Sequence, residues 1–320
     1  MTTSDDYLWD RSGPADPEVA RLEELLSPLR HEAPLDELRL RRRRSRLPMF
    51  IAAGVAVAAT IAVVLWWRSS GELACSGTAG FAFTAKGGTV ACGGAAVASG
   101  VLPVGTTLDT GAHEAELAIA DIGKAQLGAR TRVRLDHTGE RHQLYLEQGR
   151  MHARVSAPPR IFAVATPSAD VTDLGCEYTI EIDSKGAGSI QVLTGKVELG
   201  TAEGKLIVVP AGSHARLLPG RRASVPLSDR AGPEITALVR QHENGVSDAL
   251  ARVLAASTSD DVITVANLAV LVPASQKRMV LERLAGLVPP PQSLTIEEVL
   301  ADPVMFEMWF DEAVLVHLTK

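Results

Sequence analysis

LYLEQGRMHARV, residues 144–155, alternates apolar and polar side chains on either side of a single glycine. A period of two sends every second side chain to one face of a strand, so the stretch reads as β structure with one buried face. Gln148-Gly149 at its centre reads as a hairpin turn, which would set His152 opposite Tyr145. The same period recurs upstream in Glu116-Leu117-Ala118-Ile119-Ala120 and Arg132-Val133-Arg134-Leu135. Further turn signals stand at Asp109-Thr110-Gly111, Thr194-Gly195 and Ala211-Gly212. No helical window interrupts the pattern. An all-β domain of stacked antiparallel strands is therefore expected over residues 71–226, and a parallel α/β sheet is not.

Beyond Gly232-Pro233 the period becomes helical, and residues 233–320 read as an α-helical domain. Apolar faces run through Ile235, Leu238 and Val239, then Leu250, Val253 and Leu254, then Val262, Val265, Leu268 and Ala269, then Met279, Val280 and Leu284. Thr295 and Glu298 have the spacing of a capping box, and Asp302-Pro303 opens a last helix.

Before the strands lies Leu47 to Trp67, LPMFIAAGVAVAATIAVVLWW, without a charged residue. Twenty-one residues make roughly 30 Å of helix, the thickness of a bilayer's hydrocarbon core. Arg39, Arg41, Arg42, Arg43, Arg44 and Arg46 precede it and only Arg68 follows closely. That asymmetry is a topology signal, predicting a cytoplasmic N-terminus and an exported C-terminal part. Arg43-Arg44 also fits a cleaved twin-arginine leader. The length of the run, the 46 residues before it and the lack of an A-x-A site favour an uncleaved anchor. The expected location is thus a bacterial inner membrane, single-pass, with the C-terminal part periplasmic.

Residues 1–46 form the cytoplasmic segment. Its first 38 residues carry ten acids and three arginines. Asp16-Pro17-Glu18 looks like a helix start, and Leu22, Leu25, Leu26 and Leu29 follow on one face. So short a helix is marginal alone in water, so these leucines, with Trp9, are the candidate partner-binding face.

With 46% hydrophobic and 22% charged residues the chain is not disordered as a whole, and a net charge of −6 excludes nucleic-acid binding by bulk charge. Six arginines beside an anionic leaflet are explained by topology, so no nucleic acid is expected. The eight histidines (31, 113, 137, 142, 152, 214, 242 and 317) form no H-E-x-x-H, and no C-x-x-C or G-x-S-x-G occurs. No catalytic, cofactor or metal site is expected, and the chain is not read as an enzyme. His142 and His152 read as exposed strand residues. Cys75 and Cys92 bracket a turn-rich stretch in an oxidising compartment, and a bridge between them would contribute roughly 3 kcal/mol. Cys176 is then a buried, inert thiol, with another pairing or a reactive thiol left open.

The β pattern can be compared with a known family. LPVGTTLDTG (102–111), LAIADIGKAQLGARTRVRL (117–135), LYLEQGRMHARV (144–155), FAVATPSADVTDLGCEYTIE (162–181), VLTGKVEL (192–199) and VPAGSHAR (209–216) occur in one order over about 115 residues. Together they resemble the FecR domain, the exported sensor module of single-pass membrane regulators of the anti-sigma-factor type. The resemblance implies an N-terminal segment that binds a sigma factor or other cytoplasmic regulator, and a periplasmic domain that receives an envelope signal. Three features depart from the family pattern: a single tryptophan, Trp9, in the cytoplasmic segment; helices at the C-terminus; and Gly175-Cys176-Glu177-Tyr178 where Gly-Thr usually precedes an aromatic. An alternative reading is an envelope scaffold with no sigma-factor role, docking unknown envelope proteins through Phe306, Trp309 and Phe310.

Overall fold

The computed structural model describes residues 17–29, 75–201, 204–220, 222–291 and 294–319. The apolar run 47–67, the arginines of 39–46 and Trp9 lie outside the described residues. The chain divides into two units, residues 1–59 and 60–320, each taken here by itself.

In the first unit, helix α1 (Pro17–Leu26) runs into a 3-10 turn, Ser27–Leu29. Proline at its first position costs no hydrogen bond, and Glu18 in the first turn opposes the helix dipole favourably. Pro28 falls in the 3-10 turn.

In the second unit eighteen strands form one hydrogen-bonded network among the described residues. It reads as two ladders that share a strand. In hydrogen-bonded order the first ladder is β4 (Ser99–Leu102), β1 (Phe81–Lys86), β6 (Glu114–Ile119), β7 (Gly123–Leu127), β9 (His142–Val155), β12 (Glu177–Ile182), β13 (Gly188–Thr194) and β16 (Ser213–Leu218). Short strands β17 (Arg222–Ala223) and β18 (Leu227–Ser228) close its far edge. The second ladder is β3 (Ala95–Val97), β2 (Val90–Cys92), β5 (Thr107–Asp109), β8 (Arg132–His137), β9 again, β10 (Phe162–Ala165), β11 (Asp170–Asp173), β14 (Lys196–Gly200) and β15 (Leu206–Pro210). Both ladders bury alternate residues in one aliphatic core, from Leu117 and Ile180 on the first to Val133 and Leu199 on the second. The strands are mostly antiparallel. One pairing, β9 with β10, is parallel, so the sheet is mixed where stacked antiparallel strands were expected.

Gln148-Gly149 is not a hairpin. Strand β9 runs unbroken through it for 14 residues. Its first half pairs with β8 and β10, its second with β7 and β12. Gly149, at φ +102, turns the strand from one ladder into the other. His152 accordingly faces Thr179 and Gln126, and Tyr145 faces Arg134 and Ala165. Glycines of positive φ stand at the other crossings too. Gly111 lies between β5 and β6, Gly175 between β11 and β12, Gly195 between β13 and β14, and Gly212 between β15 and β16. A left-handed backbone, nearly free for glycine, lets the chain change ladders within one to four residues. The turn signals quoted from the sequence therefore mark crossings between the ladders, not hairpins.

Among the described residues six α-helices follow: α2 (Pro233–Glu243), α3 (Ala249–Ala256), α4 (Val262–Leu271), α5 (Ala274–Leu287), α6 (Ile296–Ala301) and α7 (Pro303–Leu318). Helix α4 is buried at every position from Val262 to Ala269, as an all-round apolar helix must be in a soluble core. On α5 the buried positions are Val280, Leu281 and Leu284, while Met279 is exposed. Thr295 and Glu298 make the reciprocal capping box, and Asp302 accepts a hydrogen bond from the Val304 amide, 2.9 Å. Among the described residues no single helix is long and apolar enough to cross a membrane. The bent pair Ala249–Ala256 and Ser259–Leu271 passes by composition only, and its apolar side chains belong to the helical core.

The helices close the open edge of the second ladder. Asn267 of α4 accepts from the Val208 amide (3.0 Å) and donates to the Val208 carbonyl (2.9 Å), pairing with β15 as a neighbouring strand would. Its other amide hydrogen goes to the Ile263 carbonyl at 3.0 Å, so the buried side chain is fully satisfied. Lys205 Nζ donates to the Leu271 carbonyl beside it, 2.7 Å. At the next corner His317 Nε2, from α7, lies 3.1 Å from Ser213 Oγ and 3.0 Å from the Ala211 carbonyl.

Candidate interaction surfaces

On α1 the expected face is solvent-exposed: Leu22, Leu25 and Leu26 are 57%, 68% and 57% accessible. Leu29 ends the 3-10 turn that follows. Glu18, Glu23 and Glu24 share the helix with them. An acidic helix carrying three exposed leucines presents an apolar strip.

The second unit carries a groove of about 570 Å³ between its second ladder and α7. Its walls are Leu206 and Val208 on one side, Phe306 and Phe310 on the other. One ion pair lies on its strand wall and a second crosses from the strands to α7. Arg160 grips Glu198 through two hydrogen bonds, 3.1 and 2.7 Å, and Lys196 reaches Asp311 at 3.1 Å. Arg160 is held there by a left-handed backbone (φ +67) and by its amide's bond to the Asp173 carbonyl, 2.8 Å. The hydrogen bonds to Glu198 raise the already high pKa of the Arg160 guanidinium. A second trough shares Arg160, Glu198 and Leu206 and continues to His142. Its floor follows the cross-strand row Gln143, Ala163, Thr172, Glu198. Small side chains at Ala163 and Thr172 make it concave. Mixed, mutually paired charges around apolar walls suit binding of a polypeptide surface; no nucleophile in it is held against a base.

Cys75 and Cys92 form a disulfide. The bridge ties the start of the β domain to β2, and the Cys75 carbonyl accepts from the Val101 amide at 3.0 Å. Cys176 is a free, buried thiol. Its Sγ–H donates to Asp173 Oδ2 at 2.8 Å, and burial, with the Asp173 carboxyl, pushes its pKa far up, so it stays protonated. Burial likewise raises Asp173 and Tyr178. The Tyr178 hydroxyl, fully enclosed, has no hydrogen-bond partner among the described residues. Cys176 packs under Gly195, where a Cβ would approach its own Cβ to 2.9 Å.

The other sequence candidates are placed as follows. Phe306, Trp309 and Phe310 belong to the helical core, and of the three only Phe306 and Phe310 reach the groove. They are 7%, 0% and 7% accessible, and Trp309 Nε1 donates to the Val288 carbonyl within the helical core, 3.1 Å. His142 is buried rather than exposed, edge-on to Phe81 with centroids 5.5 Å apart, and burial lowers its pKa. His152 lies 3.0 Å from both Glu177 and Thr179, away from His142. Among the described residues no cluster of three His, Cys, Asp or Glu is arranged to hold a metal. Sequence reading missed Asn267, Arg160–Glu198 and Lys196–Asp311. Their partners are 59, 38 and 115 residues apart, with no local signal to join them.

Residues 106–198 match the family model described as FecR protein. That segment holds β5 to β13 and most of β14. No curated protein matches the chain. Among solved structures, a crystal structure of a candidate anti-sigma factor from Parabacteroides distasonis aligns at 18% identity and a TM-score of 0.34, over 42% of this chain and 64% of that one. A second, also of a candidate anti-sigma factor from that organism, aligns at 21% identity and a TM-score of 0.29, over 37% and 55%. The chain thus spans less than two thirds of either.

Proposed function

From the FecR match over residues 106–198 we propose that this chain is a single-pass inner-membrane regulator. Its periplasmic β domain receives an envelope signal, and residues 1–46 hold or release a cytoplasmic sigma factor or another regulator. The family match carries this reading, and two features of the chain support it. The uncharged run 47–67, with six arginines before it, has the make-up of an anchor that leaves residues 1–46 inside. The exposed leucines of α1 supply an apolar strip on an acidic helix, a surface that a groove in a partner would cover.

The test has two arms. Reporter fusions at Gly13 and Gly232 should report opposite compartments; a common compartment would overturn the topology. Full-length protein carrying Leu22→Asp and Leu26→Asp should lose a sigma factor or regulator that co-purifies with the unsubstituted chain. If the unsubstituted chain captures no such protein from its own cells, the regulatory role of the segment is wrong.

A further inference from the structure

Helix α7 is apolar on two faces. Its inner face, Phe306, Trp309, Phe310, Ala313, Val314 and His317, fills the helical core. The opposite face carries Val304, Met308, Leu315 and Leu318, which are 56%, 51%, 56% and 47% accessible. With Asp311 these positions are spaced by four, three, four and three residues. That is the seam by which one helix receives another, about 21 Å long at 1.5 Å per residue.

The rim of the strip identifies the occupant by charge. At 100° per residue Glu307 flanks one side of it and Glu312 the other, both exposed. Asp311 lies within the strip, paired at 3.1 Å with Lys196. With Asp311 already paired to Lys196, a second copy of the chain would set Glu307 and Glu312 against the same two acids, and an anionic lipid surface would meet the same repulsion. A helix with a leucine-type seam and lysine or arginine flanks meets apolar with apolar and acid with base.

We propose that the outer face of α7 is a docking site for a basic amphipathic helix of a partner protein. It is separate from the leucine face of α1 and holds whichever way the chain is oriented in a membrane.

The test uses the full-length chain in a zwitterionic detergent, with a photoreactive side chain placed at Leu315. The probes are two synthetic helices with leucines at seam positions, one flanked by lysines and the other by glutamates. The lysine helix should cross-link about tenfold more than the glutamate helix, the ratio expected of two or three partly exposed charge pairs. Met308→Asp should abolish the product. Glu307→Lys with Glu312→Lys should reverse the preference between the helices. Because these side chains are exposed, melting temperatures should be unchanged, which separates lost docking from lost folding. Equal labelling by both helices, labelling by neither, or cross-linking of the chain to its own second copy would each overturn the proposal.

Discussion

Gly149 performs the fold's most demanding task. It sits at φ +102, and a Cβ there would lie 2.3 Å from the Thr131 Cα. Thr131, fully buried, uses its hydroxyl to accept from the Arg150 amide (3.0 Å) and to donate to the Arg150 carbonyl (3.1 Å). One threonine thus satisfies the backbone groups that the bend takes out of the ladder. Gly149→Ala should cost about 3 kcal/mol, from backbone strain plus the displacement of Thr131. Urea unfolding measures it, and a loss below about 0.5 kcal/mol, ordinary for a surface change, would contradict this account of the corner. Asp173 bears on pH. Burial raises its folded pKa above the ordinary carboxyl value, so the fold favours the neutral form. Its contribution is full below that ordinary value, about 4, and is lost as pH rises through the raised one. Asp173→Asn is neutral throughout and should gain on the unsubstituted chain as pH rises from about 4 towards neutrality. Parallel stability curves over that range would show that burial of this carboxyl is not felt.

At the scale of elements, the important junction is α4 against β15. An open strand edge is a template for unwanted pairing, and here a single asparagine covers its central residue. Asn267→Leu leaves the amide and carbonyl of Val208 without partners in a partly buried site. The expected loss is about 2–6 kcal/mol, at 1–3 kcal/mol for each group stranded. Denaturant titration of the full chain checks it, and Asn267→Asp should recover only the bond to the Val208 amide. Much of this level was legible beforehand. Alternation located β6, β8 and both halves of β9, and the Thr295–Glu298 box and Asp302-Pro303 located the starts of α6 and α7. The identity of the bends was not legible. A glycine between two alternating runs has the same sequence signature whether the chain doubles back in one ladder or crosses to the other. Only the partner strands distinguish Gly149 from a hairpin.

For the molecule as a whole, the helices are a second core joined to the first along one edge of the sandwich. Val225 and Leu227, from the end of the β domain, belong to the helical core, and Glu243 of α2 accepts from the Val225 amide (2.8 Å) and pairs with Arg216. A chain ending at Gly232 would bare the β15 edge and these apolar residues together. It should self-associate, and sedimentation velocity would show it; a well-behaved monomer would mean that the helices do not protect the sheet. The groove of Arg160, Glu198, Lys196 and Asp311 belongs to this scale as well, since strands and helix each supply part of it.

Local chemistry alone determined where strands and helices lie, which strand face is apolar, where the backbone must bend, and that residues 102–216 resemble a FecR domain. Periodicity, caps and turn residues act over a few positions, so they are written in the chain beside the structure they cause. Tertiary structure decided which ladder each strand joins, that Asn267 seals an edge 59 residues away, and which face of α7 is inside. That helix shows why. Apolar on both faces, it satisfies either burial equally well as a pattern, and only packing against the helical core turns Trp309 inward and leaves Met308 outside.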